Sequence, residues 1–352
     1  MYRCPRVLGY LTVAAATSER YKALNAVCHR GSTARSSRSV NSRTPNIRGT
    51  NYPDGETGLS MTDRAVDRDT DVNVAQAASA FGSLADENRI GILLALWQSG
   101  PLSFAELQSA AGFSDSGHFN YHLDELLDRF VEKTDGQYRL RTPGTSALDV
   151  VFDERFGESP PDVDIDVEAD CPSCDTQLHA SYSDGRVVIG CPDCPVLVNI
   201  GYFPPRGRLE RDPAEFFAAY SKQTWRDFTL AREGICPHCG GRTETTVEVD
   251  PDWHLRYPAV SVCQSCQVTI GTTIGVRLLA DPAVVAFLHD HGEHADDRPF
   301  WEFNCCIDDS DAVLQSEEPL RVTVPITLDE ETLRVTVDER TNVLETERVT
   351  RR

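Results

Sequence analysis

Four pairs of cysteines, each with two residues between its members, are the residues of this sequence best suited to chemistry. Two residues between thiolates allow one tight turn to present both sulfurs to the same metal ion. A second pair then completes a tetrahedron of soft ligands, which suits zinc. The predicted ligands are the eight cysteines of these pairs: Cys171 and Cys174, Cys191 and Cys194, Cys236 and Cys239, and Cys263 and Cys266.

The gaps between the pairs predict which cysteines share a metal ion. Sixteen residues separate Cys174 from Cys191, and 23 separate Cys239 from Cys263. Each gap has room for two antiparallel strands, and residues 186–189 and 245–249 have strand-forming composition. We therefore expect sequential pairing, the first pair with the second and the third with the fourth. Interleaved pairing is the alternative.

Two structural zinc ions are the predicted cofactors. Four cysteine ligands leave no coordination position for water, which favours a structural over a catalytic metal. Disulfides would require an oxidising compartment and are the first alternative. An iron–sulfur cluster is the second, but the paired spacing and the hairpin-sized gaps favour zinc. The sequence contains no Gly-rich phosphate loop, nucleophile elbow or His-Glu-x-x-His motif, so we do not expect an enzyme.

A histidine cluster close to two further cysteines raises the question of a third metal site. A helix that begins at Asp281-Pro282 is expected to end near Gly292, and histidines suit the negative end of a helix dipole. Adjacent cysteines do not easily face one metal ion from one strand, so we predict a packing role for them. The residues concerned are His289, His291, His294, Cys305 and Cys306.

Residues 72–141 have the pattern of four short helices followed by a hairpin. Ser103 and Glu106 form a capping box that starts the third helix, and Gly112 stops it. Ser114 is the predicted cap of the fourth helix. Asp135-Gly136 between two short strands indicates a two-residue hairpin. Helical spacing of apolar residues predicts one face of the first helix (Val74, Ala78, Phe81, Leu84), the second (Ile90, Leu93, Leu94, Trp97) and the fourth (Phe119, Leu123, Leu126, Leu127).

Three segments of this region resemble a known family. They are Leu84–Leu93 (LADENRIGIL), Phe104–Leu107 (FAEL) and Asn120–Leu126 (NYHLDEL), and they resemble the ArsR-type winged helix-turn-helix transcription regulators. The arrangement is most similar to the halophilic archaeal branch, in which this module precedes a cysteine-rich domain. The resemblance is close over 72–141 and looser from there to the C-terminus. Metal-sensing members carry cysteines in the third helix, and this chain has none between positions 29 and 170, so metal-triggered release through that helix is not expected.

The resemblance implies that the fourth helix enters the DNA major groove and that the hairpin wing touches the backbone. An Asn side chain can form two hydrogen bonds with adenine, and a Ser hydroxyl can donate a hydrogen bond to a base or accept one from it. A glycine allows the protein backbone to come close to the DNA. Basic residues on the wing are expected to meet phosphates. We interpret His122 as structural, and Asp115 as unfavourable near DNA unless it caps the helix. The predicted DNA contacts are Ser114, Ser116, Gly117, His118, Asn120, Tyr121, Lys133, Arg139 and Arg141.

Charge changes sign along the chain. The 352 residues carry a formal charge of −21, but residues 1–60 hold nine basic and three acidic residues. The remaining 25 basic and 52 acidic residues lie in 61–352, where Lys133 and Lys222 are the only lysines. An acidic, lysine-poor surface indicates an extreme halophile, and in molar salt acidity argues only weakly against DNA binding. The change occurs at Met61, so we expect translation to start there, with an export signal as the alternative for the N-terminus.

The predicted fold class is α+β: an N-terminal winged helix-turn-helix, then a β-rich domain with two zinc ribbons, inserted helices and a C-terminal antiparallel meander. Residues 1–70 are expected to be disordered or untranslated. Residues 142–170 would hold a helix from Ser146 to Phe156 and an acidic linker, and 171–352 the zinc-ribbon domain. Alternating residues predict three meander strands at 321–328, 332–337 and 342–346.

The predicted function is sequence-specific transcription regulation by a cytoplasmic homodimer on double-stranded DNA, since one winged helix reads only a half-site. The first alternative is an interaction module of the transcription machinery, because a winged helix followed by a zinc ribbon resembles archaeal transcription factor E. Its partners would be RNA polymerase or basal transcription factors. A redox or metal sensor, in which thiolate oxidation ejects zinc, is the lesser alternative. After the N-terminal region no apolar run is long enough for a membrane span, so no membrane partner is expected.

Overall fold

Two separate hydrophobic cores organise the described part of the chain. The computed structural model describes residues 73–157, 159–249 and 255–350. Residues between Ile92 and Leu148 build the first core, and residues between Val167 and Val337 build the second. Helices and antiparallel sheets occur together, so the α+β class is confirmed. The predictions for residues 1–70, including a start at Met61, lie outside the described residues.

Five helices and three short strands surround the first core. The strand order in their sheet is β1-β3-β2, and both pairings are antiparallel. In chain order the elements are α1 (Val74–Leu84), α2 (Glu87–Ser99), β1 (Leu102–Ser103), α3 (Phe104–Ala110), α4 (Ser116–Asp124), β2 (Val131–Thr134), β3 (Gln137–Leu140) and α5 (Thr142–Phe152).

Side-chain caps fix the starts of these helices. Ser103 accepts the backbone N–H of Glu106 while Glu106 accepts that of Ser103, so the predicted capping box is present. The predicted cap of α4 was wrong by one residue: Oδ1 of Asp115, not Ser114, accepts the N–H of His118 at 2.6 Å. A carboxylate at this position also faces the positive end of the helix dipole, which favours it over the hydroxyl one residue earlier.

The apolar face predicted for α1 is exposed, and the face predicted for α2 is only partly buried. No residue of α1 is buried, and Val74 and Phe81 are 73% and 74% exposed. In α2 the buried residues include Ile92 and Leu96, while Trp97 is 49% exposed. Every position of α2 from 90 to 97 is apolar, so spacing alone does not define which face is buried.

The hairpin and the helix after it follow from turn chemistry. Asp135 and Gly136 have φ values of 51° and 83°, which is the conformation of a type I′ turn. Helix α5 begins at Thr142, four residues before the predicted start, because Pro143 lies in its first turn, where proline costs no hydrogen bond.

The first two cysteine pairs lie around a four-stranded antiparallel sheet. The expected acidic linker contains its edge strand, in which Val163, Ile165 and Val167 face inward and the intervening acidic residues are exposed. This alternation marks a strand, and its acidic composition obscured it. The strands, in the order in which they pair, are β4 (Val163–Asp170), β5 (Gln177–Ser183), β6 (Arg186–Gly190) and β7 (Leu197–Tyr202).

A long helix connects this sheet to the sheet of the other two cysteine pairs. Asp212 caps this helix, Pro213 lies in its first turn, and Phe216, Phe217 and Tyr220 are buried in the second core. The elements are α6 (Pro205–Leu209), α7 (Pro213–Arg232), β8 (Thr243–Val247), β9 (Ala259–Cys263) and β10 (Thr269–Thr272), with sheet order β10-β9-β8.

The C-terminal meander has four strands in place of the predicted three. Its additional edge strand, β11, pairs with β12 across a tight turn at Glu318-Pro319, and the sequence pattern there is too short to reveal it. The remaining elements are α8 (Ile274–Leu278), α9 (Pro282–Asp290), a 3₁₀ turn (Phe300–Glu302), α10 (Asn304–Ile307), β11 (Val313–Glu317), β12 (Leu320–Leu328), β13 (Glu331–Val337) and β14 (Val343–Thr350). Among the described helices, none is both long enough and apolar enough to cross a membrane.

Candidate metal centres and nucleic-acid interface

The structure brings the eight predicted cysteine ligands together as two clusters in the sequential order. One cluster contains Cys171, Cys174, Cys191 and Cys194, and its sulfurs lie within 4.8 Å of one another. The other contains Cys236, Cys239, Cys263 and Cys266, with the same limit. Each cluster joins two knuckles that a hairpin separates, as the gap lengths predict.

Sulfur separations in both clusters suit a tetrahedral metal. The Cys171–Cys194 and Cys174–Cys191 sulfur distances are 3.4 and 3.5 Å. In the second cluster the Cys236–Cys266 and Cys239–Cys263 distances are 3.8 and 3.6 Å. Zinc–sulfur bonds of about 2.3 Å in a tetrahedron place sulfurs about 3.8 Å apart. A disulfide requires about 2.05 Å, and all ten described cysteines are free.

Backbone turns explain why these sulfurs converge. After Cys174, Cys239 and Cys266 comes a residue with positive φ: Asp175 (56°), Gly240 (73°) and Gln267 (59°). Each of these residues returns its N–H to the carbonyl of the first cysteine of its pair, at 2.9–3.1 Å. Gly240 is a residue type that favours positive φ, so the sequence indicated the turn there. Asp175 and Gln267 do not indicate such a turn by residue type.

Backbone N–H groups point at several of the sulfurs. Ser173 and Asp193 donate to Cys171 and Cys191 at 3.4 Å in the first cluster. Ser265 and Cys266 donate to Cys263 at 3.4 and 3.5 Å in the second. Such hydrogen bonds stabilise thiolate over thiol, which is the form that binds metal.

Thiol pKa values diverge within each cluster. Hydrogen bonding from the side chain of Thr176, followed by its backbone N–H, lowers the pKa of Cys174 to about 6. Burial raises the pKa of Cys194 to about 12. Burial also acts to raise the pKa of Cys263, but the N–H groups of Cys266 and Ser265 outweigh it and bring the value to about 7. A bound cation would favour the thiolate form of all four cysteines in each cluster, and the donor set of four soft sulfurs fits zinc.

The candidate third metal site does not form a cluster of this kind. Among the described residues, metal-binding groups of three or more His, Cys, Asp or Glu residues occur only at the two Cys4 sites. Cys305 and Cys306 lie on the short helix α10, where Cys306 is buried. Gly275 of α8 packs so closely that an added Cβ would lie 1.8 Å from the carbonyl oxygen of Cys305. This contact supports the packing role predicted for the two cysteines.

All nine predicted DNA-contacting side chains or backbones are exposed: Ser114, Ser116, Gly117, His118, Asn120, Tyr121, Lys133, Arg139 and Arg141. The opposite face of α4 is buried through Phe119 and Leu123. Phe104 links this helix to the hairpin, with its ring 4.9 Å from that of Phe119 and 6.4 Å from that of Tyr138. The exposed face of α4 and the hairpin are therefore parts of one packed unit.

Several of these residues already have partners within the chain. Ser116 donates to Gln108 at 3.0 Å, and the Asn120 amide donates to Asp124 at 2.7 Å. Arg139 bonds Glu132 at 2.7 Å, and the ammonium of Lys133 lies 4.9 Å from the centre of the Tyr138 ring. These side chains would have to leave their present partners in order to bind a ligand. The contacts are exposed and individually weak.

A contact that sequence reasoning did not anticipate joins the two histidines of α4. His118 Nε2 and His122 Nε2 are 2.9 Å apart, and His122 is buried. His122 Nδ1 in turn lies 3.4 Å from Oδ1 of Asp86, the cap of α2. The i, i+4 spacing was the available indication, since such residues share a helix face.

Comparison with known families gives two matches. A family model described as "Domain of unknown function (DUF7351)" matches residues 168–343, which is half of the chain. A second, described as "Domain of unknown function (DUF7347)", matches residues 77–151. Comparison with curated proteins and with solved structures gives no match.

Proposed function

We propose that this chain, which belongs to the family described as "Domain of unknown function (DUF7351)", is a sequence-specific DNA-binding transcription regulator. Residues 72–141 form a winged helix-turn-helix of the ArsR type, and the remainder forms a domain built around two structural zinc ions. A cytoplasmic homodimer binds double-stranded DNA. The chain is not proposed as an enzyme.

The observation that carries the proposal is the position of α4. Its inner face is fixed in the first core by Phe119 and Leu123, and its outer face presents Ser116, Asn120 and Tyr121. The order of helices and strands, with β1 added to the β2–β3 hairpin, is the arrangement expected of a winged helix. A helix held in this way can enter a major groove without losing its packing.

The chemistry of the exposed face suits DNA. The amide of Asn120 pairs with adenine once it leaves Asp124, and Gly117 allows close approach to the backbone. Lys133, Arg139 and Arg141 on and after the hairpin reach phosphates. Phosphate contacts fix the position of the protein along the duplex, whereas the side chains on α4 recognise the base sequence.

Local charge favours a second candidate function. Residues 73–141 hold five basic and nine acidic residues, and acidic residues disfavour phosphate binding at low salt. In molar salt this penalty is small, because counterion release contributes little. An acidic helical module beside zinc ribbons also fits an interaction module that binds RNA polymerase or a basal transcription factor.

Helix α1 supports the homodimer. Its exposed apolar residues Val74, Ala78 and Phe81 fall on one face of the helix, and a surface of this kind is stabilised by covering it. A second copy of the same helix offers a matching apolar face, as a two-fold symmetric interface requires. Two recognition helices would then meet two half-sites.

The Cys4 clusters support structural zinc, and they leave a sensor role as the lesser candidate. All eight ligands are cysteine, so neither site has a position for substrate. Cys239 and Cys266 are exposed, and oxidation of exposed thiolates releases zinc. A sensor would require this release to alter DNA binding in the other core.

The test is footprinting in molar KCl, with DNA fragments taken from genome-wide crosslinking of the tagged chain. We expect protection of a palindromic site, and loss of about 5- to 150-fold in affinity for Asn120→Ala, equivalent to one bidentate base contact. The matched control is Gln98→Ala, which changes an exposed residue of α2. Sites that follow polymerase across active promoters, with polymerase subunits co-purifying, would replace the regulator with the interaction module.

A further inference from the structure

His118 and His122 face each other on α4 in a geometry that one metal ion would impose. Their Nε2 atoms are 2.9 Å apart, their ring centres are 4.6 Å apart, and the ring planes are inclined by 80°. A straight N–H···N hydrogen bond of this length would place the ring centres about 5.2 Å apart. The two nitrogens therefore do not meet in a straight hydrogen bond.

The two distances match those expected if one metal ion bound both nitrogens with a nitrogen–metal–nitrogen angle near a right angle. With nitrogen–metal bonds of about 2.05 Å, an angle of about 90° places the nitrogens about 2.9 Å apart and the ring centres about 4.5 Å apart. A tetrahedral angle would give about 3.3 and 5.2 Å. Right angles between nitrogen ligands are typical of tetragonal Cu²⁺ and Ni²⁺, whereas zinc prefers a tetrahedron.

A carboxylate lies behind the buried ring of His122. Nδ1 lies 3.4 Å from Oδ1 of Asp86 and is buried without a hydrogen bond, so the nearest group behind the ring is a carboxylate. A carboxylate behind a ligating histidine is the usual outer-shell arrangement of metal sites.

The two rings are also held from the side. Phe113, in the turn before α4, has its ring centre 5.5 Å from that of His118 and 5.9 Å from that of His122. Asp115 caps the helix through the N–H of His118. The ligand atoms are thus positioned before any ion binds, which reduces the entropy cost of binding.

We propose that His118 and His122 form a two-nitrogen site for a tetragonal divalent cation of the Ni²⁺ and Cu²⁺ class, with water completing its coordination. The site is separate from the two Cys4 clusters and does not depend on the function proposed above. His118 is exposed and supplies the entry side, while the buried His122 supplies the fixed side. Asp86 is a positioning residue, because it acts through His122.

The experiment titrates the full, zinc-loaded chain with Ni²⁺ by calorimetry at pH 7.5 in molar KCl, and follows hyperfine-shifted imidazole N–H signals by proton NMR. Ni²⁺ does not oxidise the thiolates as Cu²⁺ can. We expect one Ni²⁺ per chain with shifted signals from two imidazoles. His118→Gln, at an exposed position, should weaken binding at least about tenfold while the zinc content remains two.

The matched control is His294→Gln, which alters a second close histidine pair: the ring centres of His289 and His294 are 5.6 Å apart. It should leave Ni²⁺ binding unchanged. Asp86→Asn keeps the helix cap and should weaken binding by about 10- to 100-fold without changing stability. No Ni²⁺ uptake, equal uptake in His118→Gln, or loss in His294→Gln would overturn the site and leave an ordinary hydrogen bond between the histidines. Unchanged affinity in Asp86→Asn would overturn its positioning role.

Discussion

The hydroxyl of Tyr202 lies 3.4 Å from Oδ2 of Asp153 and donates to it, which joins the end of α5 to the last strand of the first cysteine-bearing sheet. Arg155 lies over the same ring, 5.0 Å from its centre, and bonds Asp153. Glu154 pairs with Arg206 at 2.6 Å. These contacts join the residues after α5 to the sheet that carries the first Cys4 cluster.

Tyr202→Phe removes this contact and leaves the ring in place. We expect the free energy of unfolding to fall by about 0.5–1.5 kcal/mol, the usual net value of one hydrogen bond. Thermal unfolding followed by circular dichroism in molar KCl measures it. Tyr121→Phe is the control, because Tyr121 is 58% exposed. An equal loss in both variants would mean that the hydroxyl contact contributes nothing specific.

The same contact predicts a dependence on alkaline pH. Burial, and then the charge of Asp153, raises the pKa of Tyr202 to about 12, against about 10 for an unfolded tyrosine. Between these values the unfolded chain has lost the proton that the folded chain keeps, so stability must fall as pH rises through this window. Stability curves of the wild type and Tyr202→Phe between pH 9 and 12 should converge, and parallel curves would contradict this pKa assignment.

Zinc content tests whether the two Cys4 sites bind their ions independently. Cys191→Ser should reduce zinc from two ions to one per chain and unfold the β4–β7 sheet, because a structural zinc supplies much of the folding free energy of its module. Cys305→Ser is the control and should retain both ions, since Cys305 lies outside both clusters. Elemental analysis of the purified variants measures the ratio. Loss of both ions in Cys191→Ser would indicate that the two sites fold as one unit.

Local chemistry made parts of the fold predictable. The Ser103–Glu106 box, the Asp135-Gly136 turn and the four CxxC pairs each specify a structure within a few residues, so sequence reasoning located them. Strand β4 was missed because its acidic composition obscured its alternation, and strand β11 because its pattern is short and its pairing with β12 defines it. The same is true of Tyr202 and Asp153, which are 49 residues apart and meet only in the folded chain.

Burial was predictable only where one face of an element is clearly apolar. The alternating meander strands have one apolar face, and their inner residues Val322, Val324 and Val335 are buried. Helix α2 has apolar residues nearly all round, so Trp97 was placed inside although it is half exposed. The eight cysteine ligands were identified because spacing carries the chemistry, whereas the Asp86–His122–His118 chain depends on how two helices pack.

Substitutions at two neighbouring residues, Asp115 and Ser114, test which of them caps α4. Asp115→Ala should lower the free energy of unfolding by about 0.5–2 kcal/mol, because it removes the acceptor for the His118 N–H. Ser114→Ala is the matched control and should change stability by less than about 0.5 kcal/mol. Urea unfolding followed by fluorescence compares them. A larger loss in Ser114→Ala would restore the hydroxyl as the cap.

The exposed face of α1 predicts the oligomeric state. Phe81 is 74% exposed, so Phe81→Ser should leave the free energy of unfolding of one copy within about 0.5 kcal/mol of wild type. If that face is the dimer contact, the same change removes a large apolar side chain from its centre, and the dimer should dissociate. Light scattering coupled to size exclusion in molar KCl measures the mass of wild type and variant. Leu344→Ser on β14, at a residue 48% exposed, is the control and should remain dimeric. A wild type that is monomeric at all concentrations, or a Phe81→Ser variant that stays dimeric, would exclude α1 as the interface. Any dimer would then have to form through another surface of the chain.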